Sequence, residues 1–327
     1  MLHIPRNIWF WIFICISGVS FLLEVFLRYY IKYILARVVV IISSIWLGIF
    51  LTSITFLIAY DIVRFFIPLN PFIVGQTLII VVIILAIIGI VNTQRVITKV
   101  IEFKTKKIND ELKIVHLSDL HLGYFHGIRY FKRIIDKVKT LDPDIILITG
   151  DLVDNIGELS KDFFLKLNEL NSPIFYTTGN HDHYAGLDEI LKILKDSKIK
   201  VIQNESIFFK DLQIIGVNNG PGRQYVIDVL KGINVDLTKF IILMYHQPSN
   251  PKKANNFGID LMLAGHTHGG QFLMFILFAR LFWIWSNGLY NYKNTHLYTS
   301  PGVGIWGPPF RLGTNNEITL IRILKGE

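Results

Sequence analysis

Seven polar side chains lie in loops that directly follow apolar, β-rich runs of this 327-residue sequence. They occur in five short blocks: HLSDLHLG, ITGDLVD, TTGNHD, MYHQP and AGHTHGG. The seven residues are Asp119, His121, Asp151, Asn180, His246, His266 and His268. Because sites in open α/β sheets form beyond the carboxyl ends of the strands, we predict that the five loops converge on one site.

The seven side chains offer two carboxylates, one amide oxygen and four imidazoles, which is too many ligands for one metal ion and suits two. A set of oxygen and nitrogen ligands without sulfur can bind Mn²⁺, Fe or Zn²⁺ and is poorly selective among these metals. A carboxylate can bridge two ions that lie about 3.5–4 Å apart, so Asp151, in the middle of the set, is the predicted bridge. Four other histidines are interpreted as ordinary core residues: His116, His126, His183 and His296.

In chain order, the motifs Asp-x-His, Gly-Asp-x-x-Asp, Gly-Asn-His-Asp, a single His and Gly-His-x-His resemble those of the calcineurin-like metallophosphoesterases. The resemblance covers about residues 111–325 and implies an α/β fold, a four-layer α/β/β/α sandwich of two sheets flanked by helices. It also implies two divalent metal ions, the first held by Asp119, His121, Asp151 and His268, and the second by Asp151, Asn180, His246 and His266.

The resemblance further implies a hydrolase that cleaves a phosphodiester or pyrophosphate bond. A metal-bound hydroxide would attack phosphorus while both ions take up the negative charge that develops on oxygen. His181 would lie outside the metal ligands and would protonate or stabilise the leaving oxygen, so Asp151 and His181 are the expected catalytic residues. Asp154 and Asp182 are predicted to cap turns or orient histidines rather than to bind metal.

The segments GHTHGGQ and GIWGPPFRLGTNNEITLI resemble the membrane-associated bacterial branch of this family. That branch includes phosphoesterases that act on lipids, such as the UDP-2,3-diacylglucosamine diphosphatases. Members with this tail often have Pro-Pro where this chain has Asn315-Asn316. The branch implies a membrane lipid substrate. The alternatives are a tethered phosphodiesterase for water-soluble nucleotides and a non-catalytic membrane protein that binds metal.

Residues 1–92 are predicted to form a transmembrane region because they contain three long apolar segments: 8–27, 38–60 and 72–91. The second and third segments carry no charge, and each can cross roughly 30 Å of hydrocarbon as a helix. The first segment contains Glu24, so a buried core helix is its alternative interpretation. No small-x-small cleavage site follows it, which indicates a retained anchor rather than a signal peptide.

The formal net charge is +8, and its placement predicts the topology. Basic residues lie between the first two spans and again in residues 95–107, whereas few lie on the opposite side. The positive-inside rule then predicts a multi-pass protein of the cell membrane with everything after residue 92 in the cytoplasm. Residues 93–110 are predicted to be a basic linker that faces an anionic membrane surface. Nucleic acid is not an expected partner, and no obligatory protein partner is evident.

Residues 111–327 alternate strands with helices and are predicted to form the catalytic domain. Within it, residues 272–290 (FLMFILFARLFWIWSNGLY) are almost wholly apolar and begin shortly after His268. A fourth span and a buried core helix are two interpretations of this segment. We favour an interfacial element with Arg280 at the lipid headgroups. Five aromatic side chains would then lie in lipid: Phe275, Phe278, Phe282, Trp283 and Trp285.

Overall fold

The computed structural model describes residues 19, 34–156, 159, 161–222, 224–282 and 284–326. The predicted first span, 8–27, lies outside the described residues apart from Val19, and so does Trp283. The helices are α1 (Ile34–Phe66), α2 (Pro71–Asn92), α3 (Ile128–Leu141), α4 (Lys161–Leu165), α5 (Asn180–Ala185), α6 (Leu187–Leu194), α7 (Tyr225–Leu230), α8 (Pro251–Asn255) and α9 (Leu273–Phe282).

The strands form two mixed six-stranded sheets, with the orders β1-β12-β2-β3-β4-β5 and β10-β11-β9-β8-β7-β6. Their bounds are β1 (Val96–Thr105), β2 (Leu112–Leu117), β3 (Ile145–Thr149), β4 (Ile174–Thr177), β5 (Ile199–Val201), β6 (Glu205–Phe209), β7 (Leu212–Val217), β8 (Phe240–Tyr245), β9 (Leu261–Ala264), β10 (Gly288–Tyr292), β11 (Thr295–Thr299) and β12 (Asn316–Lys325). β2 to β5 are parallel to one another, as are β7, β8 and β9, so their carboxyl ends share one edge of each sheet.

The central strands are continuous apolar runs because both of their faces are buried. Every residue of β3 (IILIT) and β8 (FIILMY) is buried. Inward-facing side chains of the two sheets meet in one core, which includes Ile114, Leu147, Ile242 and Leu261. This shared core places the two sheets face to face.

Helices cover the outer face of each sheet. The α3 sequence buries one stripe of side chains, including Phe131, Ile134 and Val138, against the first sheet. Val226 and Leu230 of α7 pack on the second sheet in the same way. The resulting order of helix, sheet, sheet and helix confirms the predicted four-layer fold.

Residues 93–110 differ from the predicted linker, because most of them form the edge strand β1. β1 pairs in parallel with β12, and its Ile101 and Phe103 are buried in the core between the sheets. The segment VITKVIEFKT carries its charges mainly on the opposite side, for example the exposed Lys104. The charge density suggested a solvated linker, but the apolar residues at alternate positions specify a half-buried strand.

The two apolar segments 38–60 and 72–91 are helical, within α1 and α2 respectively, and both helices are long and apolar enough to cross a membrane. Asn70 caps the start of α2, and its side chain accepts from the backbone N–H of Phe72 at 3.0 Å. The two helices contact the catalytic domain through Phe310, whose ring lies against Gly48 and Gly89. A Cβ atom at either glycine would clash with this ring, so glycine permits the close approach.

The apolar segment 272–290 contains two different elements, α9 and β10. No described side chain of α9 is buried, which excludes the core helix, and its 10 residues are too few for a fourth span. β10 pairs antiparallel with β11 and belongs to the second sheet. Trp285 packs against the core of that sheet. Its predicted position in lipid was wrong, because the helix ends before it.

Candidate metal centre

The five loops meet at the carboxyl ends of their strands, and the structure brings the seven predicted ligands together. Asp119 and His121 follow β2, Asp151 follows β3, and Asn180 follows β4 in the first sheet. The second sheet supplies three histidines from the loops after β8 and β9: His246, His266 and His268. The site therefore lies between the two sheets and draws on both.

The first ligand group consists of Asp119, His121 and His268, all buried, with ligand atoms within 4.8 Å of one another. The Nε2 atoms of the two histidines are 3.0 Å apart. Asp119 Oδ1 lies 3.3 Å from His268 Nε2 and 3.8 Å from His121 Nε2. These lone pairs converge on one position, which is the geometry that a divalent cation requires.

The second group consists of Asp151, His246 and His266. Asp151 Oδ2 lies 3.0 Å from His246 Nε2 and 3.8 Å from Nε2 of His121 in the first group. One carboxylate oxygen thus lies near a histidine of each group. This placement suits the bridging role predicted for Asp151.

Asn180 provides a further test of whether the site fits a metal ion. Its Oδ1 atom is buried and has no hydrogen-bond partner, although buried polar atoms nearly always have one. Asn180 lines the same cavity as Asp151 and His266. A cation in the second group would satisfy this oxygen, so the residues fit a second metal ion.

Hydrogen bonds fix the orientation of two of the imidazoles. The Nδ1 atom of His246 lies 2.9 Å from the carbonyl oxygen of Thr149, and Nδ1 of His121 lies 2.7 Å from Asp154 Oδ1. Each contact engages Nδ1 and directs Nε2 towards the cluster, as is usual for metal-binding histidines. This agrees with the prediction that Asp154 orients a histidine.

The electrostatics of the cluster determine which predicted ligands are protonated before a cation binds. Burial alone would raise the pKa of Asp151, but the imidazoles of His246, His121 and His181 together outweigh it and lower that pKa to about 2. Burial lowers the pKa of His266 and of His268 to about 4. Burial also opposes protonation of His246, yet the Asp151 carboxylate raises the His246 pKa to about 9. Binding of a cation at His246 would therefore release a proton.

Five of the seven predicted ligands have backbone torsions in the left-handed region, with φ of 53° at Asp119, 46° at His121, 51° at Asp151, 71° at His266 and 50° at His268. Non-glycine residues adopt such torsions rarely, and each costs on the order of 1–3 kcal/mol. Strain of this kind clusters at functional sites. Five of the ten described non-glycine residues with positive φ are thus predicted ligands.

Glycines allow the loops to approach the carboxylates. A Cβ atom at Gly179 would lie 2.1 Å from Asp151 Oδ1, and one at Gly265 would lie 2.1 Å from Asp119 Oδ2. Any larger residue at either position would displace a predicted ligand. The glycines of the motifs GNHD and GHTH therefore have a direct steric role.

His181 lies beside the two ligand groups and lines the cavity in front of them. Its Nδ1 atom lies 2.8 Å from Asp154 Oδ1, the same oxygen that contacts His121. Its backbone N–H donates to Asp151 Oδ1 at 2.9 Å. The Asp154 contact engages Nδ1 and leaves Nε2 for proton transfer, which suits the predicted role of His181 outside the metal ligands.

The carboxylate of Asp182 stabilises the loop that contains Asp151. This carboxylate accepts from the backbone N–H groups of Asp151, Leu152 and Val153 at 2.9–3.0 Å and of Gly179 at 2.8 Å. Burial, together with the neighbouring Asp151 carboxylate, raises the pKa of Asp182 to about 6. The predicted turn-capping role of Asp182 matches these contacts.

Sequence reasoning missed Arg311, which is fully buried. Its guanidinium donates to the carbonyl oxygens of Pro301 at 2.6 Å, Gly304 at 2.7 Å and His268 at 3.2 Å. Its own backbone N–H donates to Gly89 of α2 at 2.9 Å. Arg311 thus connects an apolar helix to the loop of a predicted ligand. In the sequence Arg311 is a single arginine in an apolar, glycine-rich segment, and this pattern does not predict which groups it contacts.

Comparisons with known proteins agree with this geometry. The family model described as calcineurin-like phosphoesterase matches residues 112–270. A Campylobacter jejuni protein named uncharacterized metallophosphoesterase is 37% identical over 237 residues, which cover 70% of this chain and 63% of that protein. An Aquifex aeolicus protein also named uncharacterized metallophosphoesterase is 34% identical over 230 residues, covering 65% and 85%. A Danio rerio protein named transmembrane protein with metallophosphoesterase domain is 31% identical over 261 residues, covering 73% and 60%.

Two mixed sheets with a cluster of oxygen and nitrogen side chains at the carboxyl ends of their parallel strands are the architecture expected of a metallophosphoesterase domain. The chain belongs to the calcineurin-like phosphoesterase family. Membership implies metal-dependent hydrolysis of phosphoesters. The vertebrate relatives named as transmembrane proteins, together with the two apolar helices, indicate an association with a membrane. The matched region spans about three fifths of the length of the Campylobacter and Danio relatives.

Proposed function

We propose that this protein is a membrane-anchored phosphoesterase that uses two divalent metal ions to hydrolyse a phosphodiester or pyrophosphate bond of a lipid-linked substrate. One observation carries the proposal: the candidate metal centre and the apolar helix α9 line the same cavity, of about 730 Å³. A lipid-linked phosphate has the same two-part character, with a charged group next to an apolar chain.

The two walls of this cavity differ in chemistry. Asp151, Asn180, His181, His266 and His268 form its polar wall. Phe272 and four residues of α9 form its apolar wall: Phe275, Phe278, Ala279 and Phe282. Ligand sites are commonly apolar with a few polar groups that fix orientation. A phosphate at the polar wall would place an attached acyl chain along α9.

The surroundings of α9 support a membrane position for this cavity. Leu277 and Leu281 are 65% and 75% exposed on the helix. An exposed apolar patch of this kind usually marks an interaction surface. The first turn of α9 packs with Phe310 and with the apolar helices, through Phe275 and Ile49. The cavity therefore opens beside the helices that we propose to cross the membrane. Arg280 is exposed on α9 and can extend to the headgroups.

The roles of the residues follow from their positions. When bound, two divalent cations would polarise the phosphate oxygens and supply an activated water. Asp151 would hold both cations, and Asp119, Asn180 and the four histidines would complete the ligand set. His181 Nε2 would hold or deliver a proton at the leaving oxygen, while Asp154 orients its ring. The hydrogen bonds to His121 and His246 and the close packing at Gly179 and Gly265 keep these groups in place before a substrate arrives.

We also propose that the catalytic domain lies on the cytoplasmic side of a multi-pass chain. The basic residues Arg95, Lys99, Lys104, Lys106 and Lys107 follow α2 directly. Positive charge on this side of a span favours retention in the cytoplasm. A lipid precursor presented at the cytoplasmic leaflet would then reach α9 and the metal centre without leaving the membrane.

The test is a substrate panel with the full-length chain in detergent micelles and Mn²⁺. It contains a long-chain lipid phosphodiester, a nucleotide-activated glycolipid, short-chain analogues of both and a cyclic nucleotide. We expect metal-dependent hydrolysis, with kcat/KM higher for a long-chain lipid than for its short-chain analogue. A preference for the cyclic nucleotide would show that the substrate is a water-soluble nucleotide rather than a lipid. Lack of hydrolysis by protein with its full metal content would contradict the enzymatic function.

A further inference from the structure

A second cavity, of about 670 Å³, lies where the apolar helices meet the catalytic domain. It is lined by Arg37 of α1, by Gln94 just after α2, and by Arg129 and Arg133 of α3. None of its lining residues lines the cavity of the metal centre. It is therefore a separate feature that the proposed hydrolysis does not use.

The chemistry of this second cavity suits an anion. The guanidinium groups of Arg129 and Arg133 line it, and none of its described lining residues carries a carboxylate. Arg133 is held in place, because its Nη2 donates to Gln94 Oε1 at 2.9 Å and its guanidinium lies 5.3 Å from the ring centroid of Tyr130. Planar guanidinium groups match phosphate through paired hydrogen bonds, which a lysine cannot reproduce.

The start of α3 adds to this positive potential. The helix begins after Gly127, which has no side chain to cap it, and both Gly127 and Ile128 line the cavity. Nothing lies within 4 Å of a Cβ atom built at Gly127, so the space beside the helix terminus is open. The N–H groups of the first turn carry partial positive charge and attract phosphate.

The position of the second cavity indicates the source of the anion. Arg37 is the first residue of the apolar stretch that is able to cross a membrane, and Gln94 follows the last residue of α2, Asn92. The cavity thus lies at the level where the apolar part of α1 begins and α2 ends, which is the level of the lipid headgroups. Apolar side chains such as Phe125 and Phe163 complete its walls and suit the glycerol and acyl part of a lipid.

We propose that this cavity binds a phosphate group at the membrane surface, with Arg129 and Arg133 as its principal ligands. The phosphate is that of an anionic phospholipid headgroup or a free phosphate ion. Binding of a headgroup would fix α3, and with it the first sheet, against the membrane. The proposal does not depend on the identity of the substrate at the metal centre.

The experiment measures binding to the full-length chain in a zwitterionic detergent. Phosphatidylglycerol, phosphatidylcholine and inorganic phosphate are titrated separately, and retained lipid is counted by native mass spectrometry. The test variant is Arg129→Gln with Arg133→Gln. The matched control is Lys132→Gln, which removes an exposed positive charge from α3 outside the cavity. Melting temperature and metal content confirm that each variant is folded.

We expect the wild type and the control to bind phosphatidylglycerol more tightly than phosphatidylcholine, and the double variant to lose about tenfold or more in affinity. Competition by inorganic phosphate at matched concentration would assign the site to free phosphate, and its failure to compete would assign it to the lipid. Equal affinity in all three proteins, or an equal loss in the control, would overturn the proposal. If the double variant unfolds, Arg129→Gln alone replaces it as the test variant, because this substitution leaves the contact of Arg133 with Gln94 intact.

Discussion

The apolar wall of the metal-centre cavity gives a quantitative prediction about substrate binding. Phe278 and Phe282 line the cavity, whereas Leu277 and Leu281 lie on the same helix outside its lining. Replacing Phe278 and Phe282 by serine is expected to raise KM for a long-chain lipid substrate. Turnover of a small soluble phosphodiester is expected to change little, because both side chains belong to the apolar wall of the cavity and neither is a predicted metal ligand.

The magnitude follows from the surface that a lipid would cover. Phe278 is 43% exposed and Phe282 is 68% exposed. Together they expose about as much surface as one whole phenylalanine side chain, whose burial is worth roughly 1.5–3 kcal/mol. Since about 1.4 kcal/mol corresponds to a factor of ten, covering both rings with an acyl chain predicts a roughly 10- to 150-fold change in kcat/KM.

The assay compares the phenylalanine pair with a matched leucine pair, Leu277→Ser with Leu281→Ser. Both pairs are partly or largely exposed, so neither substitution opens a core cavity. Initial rates are measured on the long-chain lipid and its short-chain analogue, in micelles of one fixed composition. Equal losses on both substrates with a lowered melting temperature would show that the phenylalanines only stabilise the fold. Equal losses in the phenylalanine and the leucine double variants would show that α9 attaches the protein to the membrane rather than contacting the substrate.

His181→Ala is expected to retain two metal ions per chain and to lose about 10²–10⁴-fold in kcat on substrates with poor leaving groups, but little on a nitrophenyl ester. Metal analysis that shows one missing ion would make His181 a ligand instead. Arg311→Ala removes the guanidinium that donates to the buried carbonyl oxygens of Pro301 and Gly304, at a cost of roughly 1–3 kcal/mol for each unsatisfied group. Thermal denaturation is therefore expected to begin at a lower temperature, and an unchanged melting curve would contradict these contacts. A reporter that is active only in the periplasm, fused after residue 326, is expected to be silent, and an active fusion would place the catalytic domain outside the cytoplasm.

The ligand positions were predictable because each motif carries its chemistry in its own residue types. Asp151 and His268 occur in short glycine-rich blocks after apolar strands, and parallel strands bring such blocks to one edge of a sheet. The left-handed torsions at five of these residues were not predictable, because no rule assigns such torsions to aspartate or histidine in general.

The errors came from treating a stretch of sequence as one unit. In residues 93–110 the many lysines led to the prediction of a linker. The alternating apolar residues Ile101 and Phe103 instead determine a strand. In residues 272–290 the uniform apolar composition concealed the change from α9 to a sheet strand, so Trp285 was placed in lipid. Arg311 could not be assigned, because its partners are backbone carbonyl groups and one of them, that of His268, is 43 residues away.

The central claim is that Asp151 holds two metal ions that carry out phosphoester hydrolysis. Its most direct test measures metal content and hydrolysis of a chromogenic phosphodiester in the same preparations of wild type, Asp151→Asn and the control Asp136→Asn, which changes an exposed residue of α3. We expect two ions per chain and Mn²⁺-dependent turnover for the wild type and the control. For Asp151→Asn we expect fewer than two ions and a rate lower by orders of magnitude. Near-normal turnover by Asp151→Asn with both ions bound would contradict the bridging role of Asp151.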